Sequence, residues 1–504
     1  MQERYIATVD LGTSKLALCV AKVVGENVQI IYYKERPSDG MRYNSVYNPR
    51  RAAVPLRYAI AEAEDELQIK ILQVVVGLPR YNVRQETASA KLDRSDSSML
   101  IEDEEISNLK SMALDSYPLT DNRNELIYGA VPQSFSTDDV IGGEEDVVGT
   151  SSDTLTGNFK IFVGKKKAVQ NIDVMLNDAG VALAQAIFPP AAVGDAVLKN
   201  DEMANGVALI EMGAGVTSVS IYQGGIMRYF GYIPFGGKSI TTDIRLECAF
   251  DDRLAENIKL AFGACMPEKL QTMSDKILQI NDEESGTYEN LPVKYLSEII
   301  TARCKEIINA MLYLIQESGF ADRLRCGIVL TGGGANLTNL GNLMKEMSGY
   351  NVRIGAPLAS RFSSDGCPGI GEAEAATSVG LILEAASDPY LNCIESAVPA
   401  EAEAPVETVP EQTIPEQTEK AEEPLRSTLF EEDDFDKVMP GKIVTGRDKR
   451  KREEKVKKEK QPKPEKESKP GKGITWITEL FQKTFDDTLG NIYDDMGNNN
   501  QGRQ

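Results

Sequence analysis

Three short clusters along the chain place carboxylates, glycines, hydroxyls and an amine at spacings that could do chemistry. The first is Asp10-Leu11-Gly12-Thr13-Ser14-Lys15, at the end of an apolar run. A carboxylate at a strand end can hold a hydrated Mg²⁺, while the turn after it offers backbone N–H groups, two hydroxyls and an ammonium to phosphate oxygens. Each group suits a nucleoside triphosphate, although the same string also serves as a plain Asp-Gly hairpin turn with polar neighbours. The second cluster, Glu211, Gly213, Ala214, Gly215 and Thr217, repeats the pattern, with a carboxylate ahead of glycines that permit close backbone approach. Two such hairpins facing each other could clamp phosphates and a metal ion from both sides. In the third, CGIVLTGGGANLTNL, Gly332, Gly333 and Gly334 follow an apolar strand and lead into a helix. There they lie flat against a nucleoside or simply make a strand-to-helix turn. Neither GxxxxGKS/T nor GxGxxG occurs, which sets aside P-loop NTPases and dinucleotide-binding dehydrogenases.

The elements that must position these clusters are legible as an alternation. Up to about residue 387, apolar strand-like runs alternate with amphipathic helical stretches, the pattern of an α/β fold. The segment VDLGTSKLALCVAKVVGENVQIIYY reads as two strands joined by a tight turn. The segment GVALIEMGAGVTSVSIYQGGIMRYFGYIPFGG reads as strand, Gly/Thr turn, strand, Gly-Gly turn and strand. Two related hairpins so far apart predict an internally duplicated core.

Composition narrows the function. The 504 residues are 41% apolar, enough for two to four domains with substantial cores. With 55 basic and 77 acidic residues the net charge is −22, which argues against nucleic acid as a partner. There is no histidine, so catalysis through a Ser-His or Cys-His pair is excluded. The seven cysteines, Cys19, Cys248, Cys265, Cys304, Cys326, Cys367 and Cys393, are scattered and read as reduced core thiols. No leader of a basic segment followed by an apolar one opens the sequence, and no apolar run approaches the roughly 18 residues that span a bilayer. Membrane contact is therefore expected to be peripheral.

Beyond residue 387 the composition shifts. Residues 388–441 carry 3 basic against 15 acidic residues, and residues 442–472 carry 14 basic against 6 acidic. Neither block holds enough apolar surface to offset chain entropy, so 388–472 is expected to be a disordered linker, with a typical reach of roughly 50 Å. The segment 473–495 then places Ile474, Ile477, Leu480, Phe481, Phe485 and Leu489 on one helical stripe, with Trp476 near its edge and Glu479, Lys483 and Asp486 opposite. Such a helix suits the membrane interface, with the Lys-rich block as its cationic neighbour, although docking on the body or on a partner is open. A short polar tail, 496–504, is expected to be disordered.

Taken in order, DLGTSK, LIEMGAGVTSVSIYQGG and VLTGGGANL resemble the two phosphate motifs and the adenosine motif of the actin and sugar-kinase superfamily. QVVVGLPRYNV, IYGAVPQSFSTDDV, IPFGGKSITTDIRLECAFDDRLAENIKLAFGAC, LSEIITARCKEIINAMLYLIQESGF and EAEAATSVGLIL narrow the resemblance to the FtsA family of bacterial cell-division proteins, over about residues 4–386. The resemblance implies an actin-like, two-lobed ATPase fold with ribonuclease H-like cores. On it, residues 1–84 and 168–195 form the first-lobe core, 85–167 an inserted subdomain, 196–240 and 325–387 the second-lobe core, and 241–324 its insertion. It assigns Asp10, Gly12, Thr13, Ser14 and Lys15 to one phosphate turn and Gly213, Ala214, Gly215 and Thr217 to the other. Gly332 to Gly334 make the adenosine turn, Glu256 and Lys259 contact the nucleoside, and Asp10 and Glu211 hold Mg²⁺ through water. The phosphate-2 carboxylate of the superfamily is usually Asp; here it is Glu211, one methylene longer, which favours ATP binding over turnover and implies at most a weak ATPase.

The partners implied are the C-terminal tail of the division protein FtsZ, other copies of the chain in a polymer, cytoplasmic-membrane lipids and further division proteins. The place implied is the cytoplasmic side of the cell membrane at the septum. The FtsZ tail would meet Arg303, which on composition alone is equally a helix-surface salt bridge. A pilus-assembly adaptor and a small-molecule kinase of the same superfamily are the alternatives.

Overall fold

The computed structural model of the protein describes residues 3–281 and 288–395. The predicted helix of residues 473–495, with its apolar stripe, lies outside the described residues, as do the tail and most of the linker.

The chain opens with three strands, β1 (Glu3–Leu11), β2 (Lys15–Val24) and β3 (Asn27–Pro37), one more than the two expected here, because Gly25 (φ +62°) closes a second tight turn. A two-residue hairpin of β4 (Met41–Arg42) and β5 (Ser45–Val46) leads to α1 (Pro49–Leu67), whose N-terminus is capped by Asn48 accepting from the Arg51 N–H, with Pro49 at the first position. Strand β6 (Gln73–Gly77) then joins β1 in parallel.

An insertion follows: β7 (Arg84–Asp93), α2 (Asp103–Ser116), β8 (Glu125–Ser136), β9 (Ile141–Gly142), α3 (Glu144–Val147) and β10 (Thr154–Lys165). Its strands form a separate sheet, ordered β7-β10-β8-β9, over a small core of its own that includes Leu109, Phe135, Leu155 and Phe159. The chain returns through α4 (Lys166–Ala179) to β11 (Ala182–Ile187), which completes the first sheet alongside β6. Helices α5 (Pro189–Val197) and α6 (Asn200–Asn205) connect to the second half.

There the plan repeats. Strands β12 (Val207–Met212), β13 (Thr217–Gln223) and β14 (Ile226–Ile233) form the antiparallel meander. Next come α7 (Gly237–Cys248), α8 (Asp252–Phe262), the small hairpin β15 (Ile277–Asn281) and β16 (Tyr288–Pro292), and α9 (Val293–Glu317). Strand β17 (Ile328–Thr331), α10 (Leu340–Ser348) and β18 (Val352–Ile354) close the second sheet. The first sheet runs β3-β2-β1-β6-β11, with the short β19 (Ser363–Ser364) beside β3, and the second runs β14-β13-β12-β17-β18. In both, an antiparallel meander is followed by two parallel strands reached by crossovers, so the duplication expected from the hairpins extends to the whole sheet.

Helix α11 (Ala376–Ala386), assigned on sequence to the second lobe, packs against β1, β2, β6 and α5, within the core of the first sheet. The crossing with α5 is close because Gly380 has no side chain: a Cβ there would stand 2.6 Å from the Ala192 carbonyl oxygen. Residues 388–395, expected to begin a disordered linker, instead form a strap along the first lobe. The Cys393 N–H donates to the Tyr5 carbonyl (2.7 Å), the Leu72 N–H donates to the Cys393 carbonyl (3.0 Å), and Arg4 Nη1 donates to the Asp388 carbonyl (2.6 Å). Leu391 and Cys393 are buried, and that apolar pair is what the acidic average of the segment concealed.

None of the seven cysteines is in a disulfide; four are buried and three half-buried, and Cys304 and Cys265 hydrogen-bond to each other inside the second core.

Candidate functional site

The duplicated sheets set their equivalent hairpin turns, Gly12–Ser14 between β1 and β2 and Gly213–Val216 between β12 and β13, on the wall of one cavity of about 1200 Å³. The turns touch: a Cβ on Gly215 would stand 2.7 Å from Thr13 Oγ1. Lys238, at the start of α7, reaches the Thr13 carbonyl with its Nζ at 3.3 Å. The third cluster lies against the end of β12, where Gly332 takes a φ of +84° and a Cβ on Gly334 would meet Met212 Cγ at 2.4 Å. That packing requires glycine at both positions.

Asp10, the last residue but one of β1, lies half-buried in this cavity. Burial pushes its carboxyl up to about 6; the Arg80 guanidinium opposes the shift and the Glu211 carboxylate adds to it. Lys15 is shared between Glu35 (2.5 Å) and Glu374 (2.7 Å). Glu256 and Lys259, one turn apart on α8, pair at 2.8 Å, and Lys259 also donates to the Thr241 hydroxyl (2.9 Å) and the Gly237 carbonyl (3.1 Å). Six basic and five acidic side chains line the cavity among the described residues. In a chain with a net charge of −22 this local balance lowers the repulsion that an anion would otherwise meet.

The structure brings Asp10, Gly12, Thr13, Ser14, Lys15, Glu211, Gly213, Ala214, Gly215, Glu256, Lys259, Gly332, Gly333 and Gly334 to this one cavity. Thr217 is placed differently. It is fully buried at the start of β13, and its hydroxyl donates to the Phe235 carbonyl (2.8 Å), so it supports the turn from behind.

Arg303 on α9 lies outside the cavity and is engaged within the chain. It forms a bidentate pair with Asp243 (2.6 and 2.8 Å) and a third contact with Glu306 (2.6 Å), with its guanidinium 6.0 Å from the Phe235 ring centroid. An acidic partner would have to displace these contacts.

Among the cleft residues not singled out on sequence are Arg80, Lys238, Glu374 and Thr377. A signal existed for Arg80, which follows β6 at the carboxyl end of a parallel strand beside β1, where α/β sheets bind ligands. Glu374 and Thr377 lie in the segment EAEAATSVGLIL, which the resemblance marked as a whole without giving either residue a role.

The profile of one family, Cell division protein FtsA, matches residues 208–380. FtsA of Neisseria meningitidis serogroup B is 30% identical over 368 residues, covering 72% of this chain and 86% of the relative. The chain belongs to the FtsA family. FtsA of Borreliella burgdorferi is 28% identical over 390 residues, 76% of this chain and 91% of the relative. FtsA of Bacillus subtilis is 25% identical over 358 residues, 70% and 79%. Among solved structures, the PilM–PilN type IV pilus biogenesis complex superposes with a TM-score of 0.54 at 17% identity, covering 75% of this chain and 98% of the other. The fold is thus the actin-like, two-lobed one expected of an FtsA chain. No helix among the described residues is long and apolar enough to cross a membrane.

Proposed function

We propose that the chain is an ATP-binding, actin-like adaptor that polymerises and anchors FtsZ filaments to the cytoplasmic face of the membrane at the division septum, helping to recruit other division proteins. The observation that carries the nucleotide part of this reading is the pair of equivalent hairpin turns on one cavity wall, in contact through Thr13 and Gly215. Gly12 to Lys15 and Gly213 to Gly215 would present backbone N–H groups, hydroxyls and an ammonium to the phosphates, with Lys238 closing from the second lobe. Gly332 to Gly334 would lie against the nucleoside, and Glu256 and Lys259 would face it.

A hydrated Mg²⁺ on paired carboxylates fits only in part. Burial, with Glu211 nearby, holds the Asp10 carboxyl above its ordinary range, and a hydrated cation placed there would offset that cost. Glu211 is held in an ion pair with Arg80 and accepts from the Thr377 hydroxyl (2.9 Å), which takes it out of a two-carboxylate metal site. The same engagement removes Glu211 as a group free to orient an attacking water, so hydrolysis is expected to be weak.

Membrane attachment rests on the amphipathic stripe from Ile474 to Leu489 and the Lys-rich block before it, and filament formation would multiply the modest affinity of each copy. Sedimentation of FtsZ polymers with liposomes tests the whole reading. FtsZ should pellet with the lipid only when the full chain and ATP are present. FtsZ that stays in the supernatant under those conditions would overturn it.

A further inference from the structure

We propose that Arg80 is a resident cation of the cleft floor that supplies part of the charge a divalent metal ion would otherwise bring, so that this chain holds a nucleoside triphosphate with little dependence on Mg²⁺. The inference rests on the nucleotide reading above. Arg80 is 7% exposed and is held by the loop that also holds the first phosphate turn. Its backbone N–H donates to Asn44 Oδ1 (3.1 Å), the Asn44 N–H donates to Thr13 Oγ1 (2.8 Å), and the Asn44 amide group donates to the Leu11 carbonyl (2.7 Å). Its guanidinium makes a closed triangle with two other groups. Nη1 pairs with Glu211 Oε1, Nη2 donates to Thr377 Oγ1 (3.1 Å), and Thr377 Oγ1 donates to the same Glu211 oxygen (2.9 Å).

The longer acid explains why this triangle forms. A Cβ at position 332 would stand 3.3 Å from Glu211 Cγ, so Gly332 leaves room for the additional methylene. The charges then decide the chemistry. Asp10 and Glu211 alone would face the phosphates with two negative charges; with Arg80 between the lobes the floor carries one. Buried charges are screened little by salt, so a polyanion senses the difference at full strength. One donor is also held in reserve, since Arg80 Nε is buried without a hydrogen-bond partner.

The test measures the affinity of the full chain for ATP carrying a fluorescent ribose label, in excess Mg²⁺ and in excess EDTA at equal ionic strength. The native chain should lose no more than about threefold on removing Mg²⁺, whereas Arg80→Met should lose about tenfold or more, and Arg80→Lys should restore the native ratio. The ratio is the readout because a merely structural defect lowers affinity in both buffers alike. Should Arg80→Met fail to fold with Glu211 left unpaired, Glu211→Gln keeps an acceptor for Arg80 and removes one negative charge. It should raise affinity in EDTA more than in Mg²⁺. A native chain that loses ten times its affinity in EDTA would overturn the proposal while leaving nucleotide binding intact. So would an Arg80→Met ratio equal to the native one, or a Glu211→Gln chain weaker in EDTA. Absence of binding in both buffers would remove the nucleotide reading and this inference with it.

Discussion

Among the residues of the cleft, Asp10 is the one whose burial works most directly against the stability of the fold. Its carboxyl is pushed up to about 6, first by burial and then by Glu211, against the pull of Arg80. A carboxylate whose folded pKa lies above its unfolded value contributes stability below the unfolded pKa, and that contribution is lost as pH rises through the folded one. The ligand-free protein should therefore lose stability between about pH 4 and pH 6 on account of this residue. Asp10→Asn should stabilise it by about 1–3 kcal/mol at pH 7.5 and by almost nothing at pH 4. Urea-unfolding midpoints at the two pH values measure this; an equal effect at both would show that the carboxyl is not under this strain. Asp10 and Lys15 could be picked out on sequence because they flank one turn within six residues. Glu374 and Thr377 could not, because a segment far along the chain brings them to the site, and Arg80 carried only the signal of its place after a parallel strand. For Arg303 a helix-surface salt bridge was one of the two readings, but which acid it meets was not legible, because Asp243 lies 60 residues away on α7.

At the scale of elements, the first hairpin and the second meander were legible because each is local: short apolar runs, short glycine-bearing turns and near-neighbour pairing. The inserted sheet is local in a similar way, since its strands pair within one stretch. What was hidden was α11, whose apolar run EAEAATSVGLIL carries no sign of which core it enters. The answer lies in small residues: Gly380 against α5, and Gly77 beneath Leu381, where a Cβ would sit 3.3 Å from the Leu381 side chain. Two effects compete in Gly380→Ala. Helix propensity favours alanine by about 1 kcal/mol, while a Cβ forced against the Ala192 carbonyl should cost about 1–3 kcal/mol or shift the helix. The clash should prevail, because the obstructing atom is backbone, and denaturant titration should show net destabilisation. A more stable variant would mean that α5 and α11 can move apart freely, which their burial argues against.

Over the whole molecule, the net charge of −22 is a sum of unlike parts. The cleft is locally balanced, residues 388–441 are strongly acidic, and residues 442–472 are strongly basic just before the apolar stripe of 473–495. Each Lys or Arg held near an anionic surface is worth about 1 kcal/mol before screening. Deleting residues 473–504 should accordingly release the chain from anionic liposomes even with the basic block retained, because cations alone give binding that salt removes. Flotation at two salt concentrations checks this, and a truncated chain that still floats at high salt would exclude the terminal segment as the anchor.

The strap of residues 388–395 has a mechanical consequence. It is fastened to Tyr5 at the beginning of β1, to Leu72 just before β6, and to Lys70 through the Glu395 N–H (3.0 Å), whereas Asp10 and Arg80 stand at the opposite ends of those strands. Tension carried along the chain beyond residue 395 would therefore peel the strap bond by bond from the end of the sheet remote from the cleft. The hairpin turns would feel none of that pull until Cys393 had let go. A pull from that side could in this way release the fastening while the cleft at the other end of the sheet stayed intact.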